Sequence, residues 1–329
     1  MKSEIFWKEV VLFFVGAITW CFFIRLFMNF GSSFLGSIFC IVSPACWDKC
    51  YKVINLCEGM KKKVIAFDIG GTSIRCGLVR GKKILKFVSC ETPKVRKAFL
   101  EKIVEFSEGF MSEDVAGIGI GFPSPVREGV VKNPPNVKLK NFDLKSYLEK
   151  KFDVRVEIAN DVDCVALAEL KIGIKRRNFF VIALGTGIGG GVVVDGELYH
   201  GGSGYGSELG HIIIDGKDFE SLWKGTKRKI EREFGKGMLV RDLVKMKDKK
   251  ADAILMEASD YLGEGIASVI SVLDSEVVIL GGGVRDSGKR FLKMVNLSVG
   301  KYSFLPKTVK VVFGKIDSPG VLGASLLID

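Results

Sequence analysis

Asp161 is the carboxylate in this chain best placed for acid–base work. It follows Asn160 at the end of an alternating run, Val154–Ala159, and precedes a helical pattern over Val162–Ile172. A carboxylate at a strand end and helix start points into any cleft there. It can take a proton from a hydroxyl, and a plain helix N-cap is the competing reading. Asp68 closes the apolar run Val64–Phe67 and is followed by Ile69, Gly70, Gly71 and Thr72. Glycines in such a turn leave backbone N–H groups open to an anion. Thr72 could hydrogen-bond a phosphate, and Asp68 could hold hydrated Mg²⁺. Glu208 and His211 stand three apart and can converge on one ligand.

The elements that must carry these residues follow from the local pattern. Val64–Val79 reads as strand, glycine turn, strand. Phe179–Leu184, then Gly185, Thr186, Gly187 and Ile188–Gly191, then Val192–Asp195 repeats that arrangement. Residues 185–190 satisfy G-x-G-x-x-G, but a valine-rich strand follows where a dinucleotide site requires a helix. No G-x-x-x-x-G-K-[ST] occurs, which excludes a P-loop. Two phosphate hairpins in two halves of a chain predict a duplicated domain closing on a nucleotide from both sides. Taken alone, each hairpin is also readable as a tight turn and no more.

Phe67–Thr72 and Leu184–Gly191 resemble the two phosphate motifs of the sugar-kinase, hexokinase and actin superfamily, and within it the ROK family of glucokinase type. The resemblance runs from about Met60 to the C-terminus. It implies an α/β protein with a two-lobed actin-like (ribonuclease H-like) ATPase fold and a central cleft. The lobes are expected over 60–172, with a closing helix 319–329 packed back on them, and 173–318. It also implies ATP and Mg²⁺ as cofactors, the metal near Asp68, a hexose substrate, and a homodimer or homotetramer. Asn160 and Asp161 align with the family's catalytic pair: Asp161 as general base toward a sugar's primary hydroxyl, Asn160 on a neighbouring hydroxyl. Asn136, Glu208, His211 and Glu220 match positions around the sugar, although the spacing to Glu220 is shortened. Gly281, Gly282 and Gly283, after the strand Glu276–Leu280, match the adenosine-binding turn. Many members follow the histidine with cysteines that bind zinc. This chain has Ile212–Ser221 there and no cysteine after Cys164, so no such zinc is expected.

With 329 residues and 47% hydrophobic content, the chain is long enough for two domains with cores. The formal charge of +11 is concentrated after Met60, much of it between Lys224 and Lys250. Acidic residues interrupt those basic runs, so a solvated helical face is preferred to a nucleic-acid patch. The eight cysteines form no C-x-x-C pair and read as reduced thiols in a cytoplasmic enzyme. Residues 1–59 differ in kind. Val10–Ile24 is an uncharged apolar run, and Leu26–Trp47 is a second uncharged stretch. Either they anchor the chain to a membrane, or the start is placed too early and translation begins at Met60; the second is preferred. Lys94–Glu108 is expected as an amphipathic helix with Ala98, Ile103, Val104 and Phe106 inward. Asp163 is expected on a helix surface. Outside the enzyme class, a sugar-sensing repressor needs an N-terminal helix-turn-helix, and the apolar, aromatic residues 1–59 do not resemble one. Within it, N-acetylglucosamine, N-acetylmannosamine, fructose and mannose are the alternative acceptors to glucose.

Overall fold

Glycine alternation explains the centre of the first half. In Val115–Phe122 the inward residues Ile118, Ile120 and Phe122 are fully buried. Gly117, Gly119 and Gly121 occupy the other face and leave room for backbone to approach it. The computed structural model describes residues 62–328 apart from Asn133, Pro135, Asn136, Lys138, Lys307 and Thr308. The expectations for residues 1–59 and for Asn136 therefore lie outside the described residues.

In chain order the first half contains β1 (Lys63–Ile69), β2 (Ser73–Arg80), β3 (Lys83–Glu91), α1 (Arg96–Phe110) and β4 (Val115–Phe122). Three two-residue strands follow, β5 (Val126–Arg127), β6 (Val130–Val131) and β7 (Phe142–Asp143). Then come α2 (Leu144–Phe152), β8 (Arg155–Asn160) and α3 (Asp161–Lys171). The second half contains β9 (Phe179–Leu184), β10 (Ile188–Val194), β11 (Glu197–Leu198), β12 (Ile213–Ile214) and β13 (Lys217–Asp218). It continues with α4 (Phe219–Phe234), α5 (Val240–Leu243), α6 (Lys249–Leu273), β14 (Val277–Gly282), α7 (Gly288–Tyr302), β15 (Lys310–Phe313) and α8 (Pro319–Ser325).

The two large sheets share one plan. Their orders are β3-β2-β1-β4-β8 and β11-β10-β9-β14-β15. In each, an antiparallel hairpin comes first and a parallel strand pairs with its first member. The duplication expected from the two glycine hairpins is thus present in the strand pairing. A ligand in such sheets sits beyond the carboxyl ends of the parallel strands. Asp68, Phe122 and Asn160 lie at those ends in one sheet, Leu184 and Gly282 in the other.

Apolar layers fix the sheets. Phe99 and Ile103 of α1 and Leu144 and Leu148 of α2 join the core of the first sheet. Phe99 meets Phe122 edge-on, with ring centroids 6.0 Å apart. Here the sequence expectation is corrected. The buried stripe of α1 is Phe99, Ile103, Ser107 and Phe110, while Ala98 is exposed and Val104 and Phe106 are only half-buried. The helix starts two residues later than expected, and the bulkier Phe99 takes the inward position beside Ala98. The second sheet is covered by α4, α6 and α7 through Phe219, Trp223, Leu262, Ile266 and Phe291. The exposed face of α4 carries Lys224, Arg228, Glu231 and Arg232, a mixed-charge solvated surface as the interrupted basic runs suggested. Among the described residues no helix is long and apolar enough to cross a membrane.

α3 touches both sheets. It packs on β4, β9, β10 and the terminal helix α8. Gly189 and Gly191 of β10 face it, and a Cβ on Gly191 would stand 2.7 Å from the Val162 carbonyl oxygen. Gly323 of α8 admits the Cys164 carbonyl, and Gly119 of β4 admits the Ala324 carbonyl; a Cβ at either would overlap those oxygens.

Candidate active site

The first hairpin is held by its carbonyls. Thr92 Oγ1 donates to Gly70 O (2.7 Å), Lys94 Nζ to Gly71 O (2.6 Å) and the Thr92 N–H to Thr72 O (3.0 Å). A trans peptide sets the next N–H opposite each carbonyl. The N–H groups of Gly71, Thr72 and Ser73 therefore point away from Thr92 and Lys94, which is the arrangement an anion requires.

The second hairpin is held from α4. Trp223 Nε1–H and Lys227 Nζ donate to Gly185 O (3.1 and 3.4 Å). By the same geometry the Thr186 N–H faces the other way. The Ile188 N–H donates to Glu220 Oε2 (3.0 Å), and Glu220 Oε1 is paired with Lys224 Nζ. A Cβ on Gly187 would overlap Glu220 Oε2, so glycine here leaves room for that carboxylate. The structure thus ties Glu220 to the second glycine hairpin. Trp223 and Lys227 escaped the sequence reading; their signal was the spacing Glu220, Trp223, Lys227 on one helical face. The triple glycine abuts the same hairpin. Gly281 pairs with Ala183 and Gly282 with Leu184. Gly282 has φ +74°, and a Cβ there would lie 2.5 Å from Leu184 O. Gly283 begins the 3₁₀ turn that follows.

Asn160, not Asp161, caps α3. Asn160 Oδ1 accepts from the Val162 N–H (2.8 Å) and the Asp163 N–H (3.3 Å). The N-cap alternative for Asp161 falls with that observation, although its Oδ1 also accepts from Val162 N–H at 3.0 Å. Burial, then the negative charge of Asp68, pushes the Asp161 carboxyl up to about 7. Asp68 is raised too, by burial, and is partly relieved by Arg75 Nη1 at 3.3 Å. Its carboxyl rests against the backbone of Gly320, where a Cβ would come within 2.5 Å of Cγ. Two carboxylates in each other's field form a corner that favours a cation. Among the described residues no three His, Cys, Asp or Glu side chains cluster as a metal cage. One or two carboxylates with the remaining positions left for water and phosphate is the pattern Mg²⁺ accepts.

Glu208 precedes the 3₁₀ turn Leu209–His211, and burial raises its carboxyl. His211 Nδ1 lies 2.9 Å from Asp218 Oδ2, and that hydrogen bond raises the imidazole. Asp218 also caps α4, accepting from Ser221 N–H at 2.8 Å. It fixes the ring of His211 in orientation and was missed in the sequence, because seven residues and a hairpin separate the pair.

Asp163 corrects a sequence expectation. It is 7% exposed rather than on the helix surface. The β8 edge and the segment at Leu198 and His200 lie around it. Its Oδ2 lies 3.5 Å from His200 Nδ1.

Two glycine hairpins, carboxylates at the strand ends between them and duplicated sheets define a phosphate-handling protein of the actin-like type. The profile of the ROK family matches residues 64–329, and the chain belongs to that family. Over 312 residues it is 30% identical to the glucokinase of Thermotoga maritima, spanning 82% of this chain and 98% of that protein. It is 29% identical over 246 residues to the N-acetylmannosamine kinase of Vibrio cholerae, spanning 68% and 84% of the two. The crystal structure of the ROK hexokinase from Thermus thermophilus superposes with a TM-score of 0.68 at 28% identity, over 80% of this chain and 97% of that one. The fold is the two-lobed actin-like α/β fold with a central cleft.

Proposed function

We propose that this protein is an ATP-dependent hexose kinase acting most readily on the 6-hydroxyl of glucose. The observation that carries the reading is Asp161: a half-buried carboxyl just past the strand end, raised to about 7 by desolvation and by the charge of Asp68. A base whose pKa lies near working pH is both available and strong enough to take a hydroxyl proton. The sugar's primary hydroxyl gives its proton to Asp161, and its oxygen attacks the γ-phosphorus. The bond from that phosphorus to the bridging oxygen breaks, and ADP leaves with the electron pair. The N–H groups of Gly71, Thr72 and Thr186 face the phosphates, and Gly281–Gly283 border the adenosine. Mg²⁺ near Asp68 would neutralise charge on the phosphoryl oxygens. Asn160, Glu208 and His211 bind sugar hydroxyls, with Asn136 completing the set. Glu220 serves that set indirectly, by holding the second hairpin.

The relative from Vibrio cholerae supports a second reading, an N-acetylated hexosamine as acceptor. Coupled phosphorylation by the full chain with Mg-ATP across a hexose panel separates them. Turnover of glucose above all others supports the first. Turnover of an N-acetylated sugar alone replaces the substrate, and no turnover of any sugar overturns the kinase.

Trp223→Phe keeps the packing of α4 and removes the indole donor to Gly185. It is expected to raise KM for ATP about 5- to 10-fold, the worth of one hydrogen bond, and to leave the hexose KM within about twofold. Steady-state kinetics with each substrate varied in turn check this. An unchanged KM for ATP means that the Gly185 carbonyl needs no such restraint.

A further inference from the structure

A cavity of about 430 Å³ lies between the edge strand β8 and the segment after β11. Its polar wall is made by Arg155, Glu157, Asn160, Asp163 and His200. None of the roles assigned above uses Asp163 or His200.

Most of that wall is already satisfied. Glu157 accepts from Lys145 Nζ (3.0 Å) and Arg155 Nε (3.1 Å), so its carboxylate is already engaged. Asn160 spends its Oδ1 on the helix cap, which leaves its Nδ2 as a donor. Asp163 is different. It is more than nine-tenths buried, and its Oδ1 has no hydrogen-bond partner among the described residues. A buried carboxylate oxygen without a donor is costly and calls for one. Its other oxygen lies 3.5 Å from His200, whose side chain is 58% exposed. Burial raises Asp163, and Asp163 in turn raises His200. The unpartnered oxygen calls for a donor, while Asn160 Nδ2 and the exposed His200 ring offer hydrogen bonds to an acceptor, so the fitting group carries both functions. It must donate to Asp163 and accept from Asn160 or His200. A hydroxyl does both, whereas an ammonium cannot accept and a phosphate monoester dianion cannot donate.

We propose that this cavity is a hydroxyl-reading subsite for the acceptor sugar, in which Asp163 and His200 bind a ring hydroxyl other than the one that is phosphorylated. The placement rests on the kinase reading, because it is Asn160, adjacent to Asp161, that connects the cavity to the reacting end. The segment carrying His200 is fixed for the task. Gly206 N–H donates to His200 O (3.0 Å), and Ser207 Oγ donates to Tyr199 O (3.0 Å). A Cβ on Gly190 would overlap Ser207 O and push this segment off β10.

The test is a cycle between residue and hydroxyl. The full chain, Asp163→Ala and His200→Ala are assayed for kcat/KM on the preferred hexose and on its 2-, 3- and 4-deoxy analogues. One analogue is expected to lose about 10- to 100-fold with the unaltered protein, the worth of a hydrogen bond to a charged group. Both variants are expected to lose a similar factor on the parent sugar, in KM more than kcat, and to show no further loss on that analogue. Equal losses by the variants on every sugar would make the pair structural and overturn the subsite. His200→Ala, exposed and tolerant of truncation, keeps the test alive if Asp163→Ala fails to fold. Should the unaltered protein phosphorylate no sugar, the kinase reading fails separately. Calorimetric titration of the same sugars into the same proteins then decides the subsite: selective loss for one deoxy analogue supports it, and indifference to all of them overturns it.

Discussion

Asp161→Asn is expected to lower hexose phosphorylation by about 100- to 10,000-fold, the usual contribution of a positioned base, and to make the protein more stable. The wild-type kcat/KM should rise with pH through about 7, since the base works only when ionised and burial with the Asp68 charge sets that pKa. In the variant that limb disappears. Linkage gives the sign of the stability effect. Below about pH 4 the carboxyl is protonated in folded and unfolded chains alike and costs nothing. As pH rises from there to about 7 the unfolded chain releases its proton while the folded chain keeps it, so wild-type stability falls. Above 7 the full cost is present. From about 1.4 kcal/mol per pKa unit, asparagine should recover on the order of 2–4 kcal/mol at pH 8 and nearly nothing at pH 4. Thermal unfolding at both pH values checks this. A gain that does not change with pH would mean that the buried charge is not what asparagine relieves.

Gly323→Val and Gly119→Val are expected to abolish cooperative folding, or to cost more than about 4 kcal/mol where folded protein survives. In each case the added Cβ meets a backbone carbonyl, that of Cys164 or of Ala324. A flexible side chain could swing aside; here two main chains would have to part. Because α8 also supports Asp68 through Gly320, any folded remnant should lose activity as well. Gly109→Ala is the control. Nothing lies within 4 Å of its Cβ position, and it stands in the last turn of α1. There alanine should add about 0.5–1 kcal/mol through helix propensity. Urea denaturation of the three variants makes the comparison; a folded, cooperative Gly323→Val would show that α8 can lift from α3 without loss.

What the sequence revealed and what it hid follow from the range of the interactions. The hairpins at Gly70–Thr72 and Gly185–Gly187 were legible because strand, turn and strand are adjacent in the chain. The strand-to-helix step at Asn160–Asp161 was legible for the same reason. Asp163 was misjudged because the wall beside it includes Leu198 and His200, which follow some thirty-five residues later. Its contact with His200 spans 37 positions with no periodic signal between them. Ala98 was misplaced because two neighbouring apolar residues, Ala98 and Phe99, competed for one inward position. Glu220 was identified as a site residue, yet its bond to the Ile188 N–H depends on a helix meeting a hairpin 32 positions away.

The glycines around α3 have a consequence for how such a chain can diverge. The helix is gripped by its own main chain. Gly191 meets the Val162 carbonyl, Gly323 the Cys164 carbonyl, and Gly121 lies against the Cα of Asp161. The closest approaches, at Gly191 and Gly323, are to carbonyl oxygens, which every residue type supplies. The immutable part of this centre is a set of positions that bear no side chain at all.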